Sequence, residues 1–320
     1  MSMSVRESVE VGAFRLGWTA VRKLPAPVAY RLFDRIAARM VRRNGKGVQR
    51  MRANYARVRP ELGTAALDEL VHAGVRSYMR YWCDSFRLPD RTAQELAAKV
   101  RVVGDGPPRQ ALGAGQGVVA FLGHLGNWDT VGAWATYHLA PVTTVAERLR
   151  PEALFDQFVA YREALGMTIL PLTGDKPPFP TLVRTVHAGG LVPLLADRDL
   201  TASGVEVTLC GHAARMATGP AALALATGAP LHPVTVTYEP DPAVPRPSRG
   251  RGASGGQAGP STYRVVLTFG PAVAVPDGGT RAERITAMTQ ACADYLSETL
   301  REHTEDWHMM QRVFVADGIT

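Results

Sequence analysis

A chain of 320 residues, 46% hydrophobic and 20% charged, can bury a large core as one extended α/β domain or two smaller ones; this balance excludes a disordered chain and one built of membrane-spanning helices. Its cysteines, Cys83, Cys210 and Cys292, are odd in number and far apart, which excludes a disulfide framework or a Cys-x-x-Cys metal knuckle and fits a reducing cytoplasm. The formal charge of +7 lies at one end: residues 1–59 hold 14 Lys+Arg against 3 Asp+Glu, an excess of 11, and the rest hold 22 against 26.

From Val9 to Leu24 and from Val28 to Val41, apolar residues recur at three- and four-residue steps between Arg15, Arg22, Lys23, Arg31, Arg35 and Arg39. This predicts two amphipathic helices broken at Pro25-Ala-Pro27. Charges interrupt the first of them, so no export signal is evident. Two readings of the pair stay open. In one it is an interfacial anchor, with Phe14 and Trp18 in the headgroup boundary and the basic residues on anionic lipid at about 1 kcal/mol each. In the other it is a helical hairpin packed on the rest of the protein with a solvated basic face. Nucleic acid is not the expected partner, because no recognised binding motif accompanies the charge.

Residues 62–99 read as one or two further helices with an aromatic stripe, Tyr78, Tyr81, Trp82 and Phe86, that is mostly core. From about residue 100, short apolar or β-branched runs alternate with helical segments: Lys99–Val103, Val118–Leu122, Thr143–Ala146, Met167–Leu170, Leu191–Leu195 and Leu231–Thr237. The pattern predicts an α/β fold with a largely parallel sheet covered on both faces and functional loops at the strand C-termini. The long uncharged run Met216 to Tyr238 contains Pro220, Pro230 and Pro233, so it reads as a buried helix, a turn and a strand, not a membrane span. Residues 241–261, rich in Pro, Gly, Ser and Arg, read as a flexible insertion before the apolar run Tyr263–Phe269. The match to a nucleophile elbow at Gly252-Ala-Ser254-Gly-Gly256 lacks the strand-to-helix turn that the motif needs. Together these features divide the chain into a basic N-terminal segment, 1–59, and a main domain, 60–320.

The segment Gly123-His124-Leu-Gly126-Asn-Trp-Asp129 turns from a strand into a helix, with His124 at the strand tip and Asp129 in or near the first helical turn. Its glycines permit a tight bend that could bring the carboxylate onto the imidazole. Such a pair suits a general base: Asp129 orients His124 and stabilises its protonated form while a hydroxyl is deprotonated. A loop hydrogen bond for the histidine, or a plain helix N-terminal role for the aspartate, explains the same spacing. No third ligand at recognisable spacing suggests a metal.

His124-x4-Asp129 resembles the hallmark of the lysophospholipid and lipid A acyltransferase superfamily. Further blocks resemble the phosphatidylinositol mannoside acyltransferases of actinobacteria over most of the chain: Thr144-Val-Ala-Glu147-Arg148, Tyr161-Arg162-Glu-Ala-Leu-Gly166, Ala196-Asp197-Arg198-Asp199-Leu-Thr201, Ala214-Arg215-Met-Ala-Thr-Gly-Pro220 and Asp306-Trp-His-Met-Met-Gln311. The resemblance implies a glycerol-3-phosphate acyltransferase-like fold with His124 and Asp129 catalytic. It implies Glu147, Arg148, Arg162, Asp197, Arg198 and Arg215 in substrate binding, with Asp197 favoured over Asp199 because it directly follows a strand. Arg148, Arg162 and Arg215 suit phosphate groups of the donor or of the acceptor lipid. It further implies acyl-CoA as donor and substrate, no cofactor, and a mannosylated phosphatidylinositol as acceptor. The reaction would occur at the cytoplasmic face of the cell membrane, on an anionic surface. The aromatic stripe could then line part of an acyl groove. The residues alone support only the reaction type and a membrane site, so an acyltransferase for another glycolipid or for lipid A, an acyl-CoA thioesterase and a non-catalytic lipid-binding protein stay open.

Overall fold

The computed structural model describes Gly12 and residues 17–147, 152–173, 177–199, 204–242 and 263–317. Phe14, Arg15, Arg148 and nearly all of the 241–261 insertion lie outside the described residues.

Residues 17–23 are helical, and α1 (Ala26–Arg43) follows at the proline break, with Pro27 in its first turn, where a missing N–H is harmless. It ends at Asn44 in the left-handed region, φ 44°, whose N–H returns to the Met40 and Val41 carbonyls. Next come α2 (Lys46–Val58) and the long α3 (Thr64–Arg87). Ala29, Tyr30, Phe33 and Ala37 bury one face of α1 against α3. A flanking face leaves Val28, Leu32 and Ile36 exposed, four residues apart, with the exposed Arg31, Arg35 and Arg39 beside them. None of the described helices is long and apolar enough to cross a membrane.

Trp18 departs from the expectation of a lipid-facing residue. Its ring lies 4.9 Å from both Phe86 and Tyr161, and its Nε1–H donates to the Phe86 carbonyl at 3.0 Å. An indole buries its faces readily once its N–H finds an acceptor, and here α3 supplies one. Arg22 likewise turns to Asp90.

The remaining elements are α4 (Ala93–Lys99), β1 (Val100–Val103), α5 (Gly106–Gly113), β2 (Val118–Leu122), α6 (Trp128–His138), β3 (Thr143–Ala146), α7 (Glu152–Ala164), β4 (Thr168–Pro171), α8 (Phe179–His187), β5 (Leu191–Leu195), the hairpin β6 (Val205–Leu209) and β7 (His212–Met216), α9 (Gly219–Thr227), β8 (Leu231–Pro240), β9 (Tyr263–Phe269) and α10 (Arg281–Glu302). Five strands form the central sheet in the order β1-β9-β8-β2-β5, parallel throughout except between β8 and β9. Each strand anticipated from the sequence is present. The β6–β7 hairpin was not anticipated: Glu206, Thr208 and Arg215 break its apolar pattern, and only Val207, Leu209, Ala214 and Met216 are buried.

The sheet is buried on both sides. Val119 and Phe121 of β2 join a core with Leu223 of α9, Met288 of α10 and, from the N-terminal helices, Tyr30, Met51 and Tyr55. Val118, Ala120 and Leu122 face the other way, onto Val131 and Trp134 of α6. A parallel β3–β4 pair extends the β5 edge through the Val142–Leu191 bridge and the Thr144 hydroxyl, which donates to the Pro193 carbonyl at 2.6 Å.

Candidate active site

The parallel register of β2 and β5 pairs Leu122 with Leu195. The chains that leave these two strand ends therefore travel side by side, and the second residue past each end is His124 and Asp197. Their side chains meet: His124 Nδ1 lies 2.5 Å from Asp197 Oδ1. The backbone N–H of His124 donates to Oδ2 at 2.9 Å, and the Trp307 indole N–H donates to the same oxygen at 2.9 Å. Asp197 is fully buried, whereas the His124 side chain is 22% exposed. Burial alone pushes a carboxyl pKa up, but the imidazole and these two donors hold Asp197 below its ordinary value, so it stays ionised. A carboxylate at Nδ1 keeps the proton there and leaves Nε2 as the basic nitrogen.

Asp129, the partner expected from five-residue spacing, does not reach the imidazole. The side chain of Asn127 caps α6 by accepting from the Thr130 N–H at 2.9 Å. The helix so begun carries Asp129 toward α7 and α3. There Arg162 Nε donates to Oδ1 at 2.7 Å and the Tyr81 hydroxyl to Oδ2 at 2.8 Å. The Asp129 side chain is 4% exposed and that of Arg162 18%. Burial works against the Arg162 charge, but the Asp129 carboxylate outweighs it and raises the guanidinium pKa. Asp129 is thus the anchor of Arg162, and Asp197 is the partner of His124.

The segment after α10 straps this centre down. Trp307 bridges to Leu125, the Gly126 N–H donates to the Asp306 carbonyl at 2.9 Å, and the His308 N–H donates to the His124 carbonyl at 2.8 Å. Gly126 has φ 53°, and a Cβ there would sit 2.4 Å from the Val236 carbonyl oxygen, so only glycine fits the bend. Asp306 is buried and accepts from the Ser77 hydroxyl and the Tyr238 N–H, each at 2.7 Å. Its burial pushes its carboxyl up to about 6. His308 is buried too; its Nε2 is 3.0 Å from the Ser77 hydroxyl, and burial lowers its pKa to about 3, so it is neutral.

The other expected site residues divide. Arg198 pairs with Glu147 at 3.1 Å, next to Asp197 in the chain. Arg215 donates to the Gly204 carbonyl at 2.6 Å, and its own carbonyl accepts from the Asp199 N–H at 2.9 Å, a bracing of the hairpin. Of the two acids in that block, Asp197 is the one that touches His124. Trp307 and Tyr81 were missed as site residues, although both stood in segments already marked: the Asp306–Gln311 block and the aromatic stripe.

A mostly apolar cavity is walled by Leu122, Trp128, Val142, Met167 and Leu195, with Asp129 and Arg162 on its lining, and Trp128 links it to the dyad. The Trp128 ring stands edge-on to His124, 5.6 Å between centroids. An imidazole with a buried carboxylate at Nδ1, near an apolar cavity, has the geometry of a general base able to activate a hydroxyl.

Comparison with known proteins identifies the family. Residues 11–315 match the family model described as bacterial lipid A biosynthesis acyltransferase. The chain is 39% identical over 305 residues to a phosphatidylinositol mannoside acyltransferase of Mycolicibacterium smegmatis, covering 95% of this chain and 91% of that one. It is also 39% identical over 317 residues to the protein of that name from Mycobacterium tuberculosis (strain CDC 1551 / Oshkosh), covering 98% and 91%. With the match spanning nearly its whole length, this chain belongs to the bacterial lipid A biosynthesis acyltransferase family.

Proposed function

We propose that this acyltransferase moves a long-chain acyl group from acyl-CoA to a mannose hydroxyl of a phosphatidylinositol mannoside, the 6-hydroxyl of the mannose on inositol position 2. His124 acts as general base and Asp197 as its orienter. The observation that carries the mechanism is the His124–Asp197 pair beside an apolar cavity; the acceptor rests on the names of the relatives. Nε2 of His124 takes the proton of the mannose hydroxyl as its oxygen attacks the thioester carbonyl. Collapse of the tetrahedral intermediate forms the new ester and breaks the C–S bond, and the proton passes from His124 to the departing thiolate. No covalent enzyme intermediate is needed, and general-base assistance contributes about 10²–10⁴-fold.

Arg162, held by Asp129, borders the cavity as a fixed cation. Arg148, Arg198 and Arg215, with Glu147, are assigned to the phosphates and sugar hydroxyls of the substrates, for which guanidinium geometry is apt. Peripheral attachment to the cytoplasmic face of the membrane is assigned to α1, whose outer face combines Val28, Leu32 and Ile36 with arginines.

The test is transfer of labelled palmitate from palmitoyl-CoA into a purified phosphatidylinositol mannoside by the wild type, His124→Ala and Asp197→Asn. Loss of transfer in both folded variants is expected. Full transfer by either sinks the mechanism, and wild-type hydrolysis unaffected by acceptor points to a thioesterase instead.

A further inference from the structure

We propose that Gly132 and Met167 together set the length of the acyl chain accepted, with the Met167 thioether as the movable floor of the cavity beside His124. The proposal rests on the acyl-transfer reading above. The cavity begins next to the base: Leu122 is two residues before His124, and the Trp128 ring stands against the imidazole. Gly132 follows Trp128 by one turn of α6 and also lines the cavity. It therefore lies on the same helix face as Trp128, about 6 Å further along the axis.

At that depth the helix wall has no side chain, and Met167 occupies the space. A Cβ built on Gly132 would stand 2.7 Å from Met167 Sδ. Met167 is buried and sits in the short link between α7 and β4. The neighbouring walls are more rigid. Val142 is held by its bridge to Leu191, and Leu195 by strand pairing with Leu122. So among cavity walls anchored to strands, one lining side chain is unbranched, readily repacked and rests on a glycine. Glycine in a helix interior is unfavourable in itself, and the Met167 contact accounts for its presence.

An alkyl chain gains about 0.8 kcal/mol for each methylene taken from water, or about fourfold in binding, until it meets the floor. Met167→Ala removes three heavy atoms of that floor and makes room for roughly two more methylenes. Gly132→Ala acts oppositely, since its Cβ must displace Sδ into the cavity.

The experiment measures kcat/KM for saturated acyl-CoA donors from decanoyl to eicosanoyl, with the lipid acceptor saturating, in the wild type, Met167→Ala, Gly132→Ala and the double variant. Thermal melting checks the fold of each. Met167→Ala should move the optimum toward longer chains by about two carbons, raising the preference for the longer donor about fifteenfold. Gly132→Ala should move it toward shorter chains, and the double variant should regain the longer ones because the displaced group is gone. If Gly132→Ala does not fold, Met167→Ala and Met167→Val decide the matter. An unchanged chain-length profile in the folded variants overturns the proposal while leaving acyl transfer intact. A wild type that uses none of these donors removes the acyl-CoA reading and this inference with it.

Discussion

His124 Nδ1 is 2.5 Å from Asp197 Oδ1, across 73 residues of chain, while Asp129, five residues away, is bound to Arg162 and Tyr81. The two carboxylates therefore serve different groups, and their substitutions should differ. Asp197→Asn removes the charge and, with the amide oxygen held by the His124 and Trp307 N–H groups, turns an NH2 toward Nδ1, which favours the wrong tautomer. The kcat should therefore fall on the order of 10³-fold with little change in KM. Asp129→Asn leaves the dyad intact and should lower kcat only about tenfold. Steady-state kinetics of both folded variants checks this; the reverse order would restore Asp129 as the partner of the base.

Trp307 gives the Asp197 carboxylate one of its donors. Trp307→Phe preserves most of the ring packing and deletes the N–H. A hydrogen bond to a buried charged group contributes about 1.5–3 kcal/mol, and urea unfolding should report a loss of that size. The kcat should fall about tenfold at unchanged KM, and unaltered kcat would show that the strap only packs.

The Asp129–Arg162 pair is buried on the carboxylate side. Arg162→Met strands that charge and should destabilise the fold by about 3 kcal/mol, the low end for such pairs because Arg162 is partly exposed. Adding Asp129→Asn should recover much of the loss. Equilibrium urea unfolding of the wild type, the two single variants and the double variant measures the coupling, and additive losses would argue against it.

His308 is held neutral, with its pKa lowered to about 3 against an ordinary value of 6.5. The unfolded chain takes up a proton first as pH falls through about 6.5, so acid favours unfolding down to about 3, by about 1.4 kcal/mol per pH unit. Asp306, with a raised carboxyl pKa, has the opposite slope between about 4 and 6. The comparison of wild type with His308→Phe isolates the histidine. The wild type should lose roughly 2 kcal/mol more than the variant between about pH 7 and pH 5, measured by urea unfolding. Equal losses would show that His308 does not resist protonation.

The exposed stripe on α1 makes a further expectation measurable. Replacing Val28, Leu32 and Ile36 by serine removes apolar surface that the folded protein leaves in water. Partition onto anionic vesicles should weaken by about ten- to a hundredfold with the melting temperature nearly unchanged. Unaltered partition would assign the attachment elsewhere.

Local pattern made much of the architecture legible in the sequence. The strand runs of the parallel sheet were apparent because strands buried on both faces read as short apolar segments, and β2 packs against both cores. The exposed half of α1 followed from its period. The inward turn of Trp18 did not, because its acceptor is the Phe86 carbonyl, 68 residues away.

What the sequence by itself determined was the α/β sheet, the histidine at a strand tip and the resemblance that brought a reaction with it. Which carboxylate that histidine would use was decided by the tertiary structure. Spacing along a chain constrains only neighbours, and Asp129 is carried away by the helix that starts at Trp128. The pairing of Leu122 with Leu195 brings Asp197 to His124, and Trp307 arrives from the far end of the chain to fix it. Strand register is a long-range property, set by how whole segments bury their side chains together.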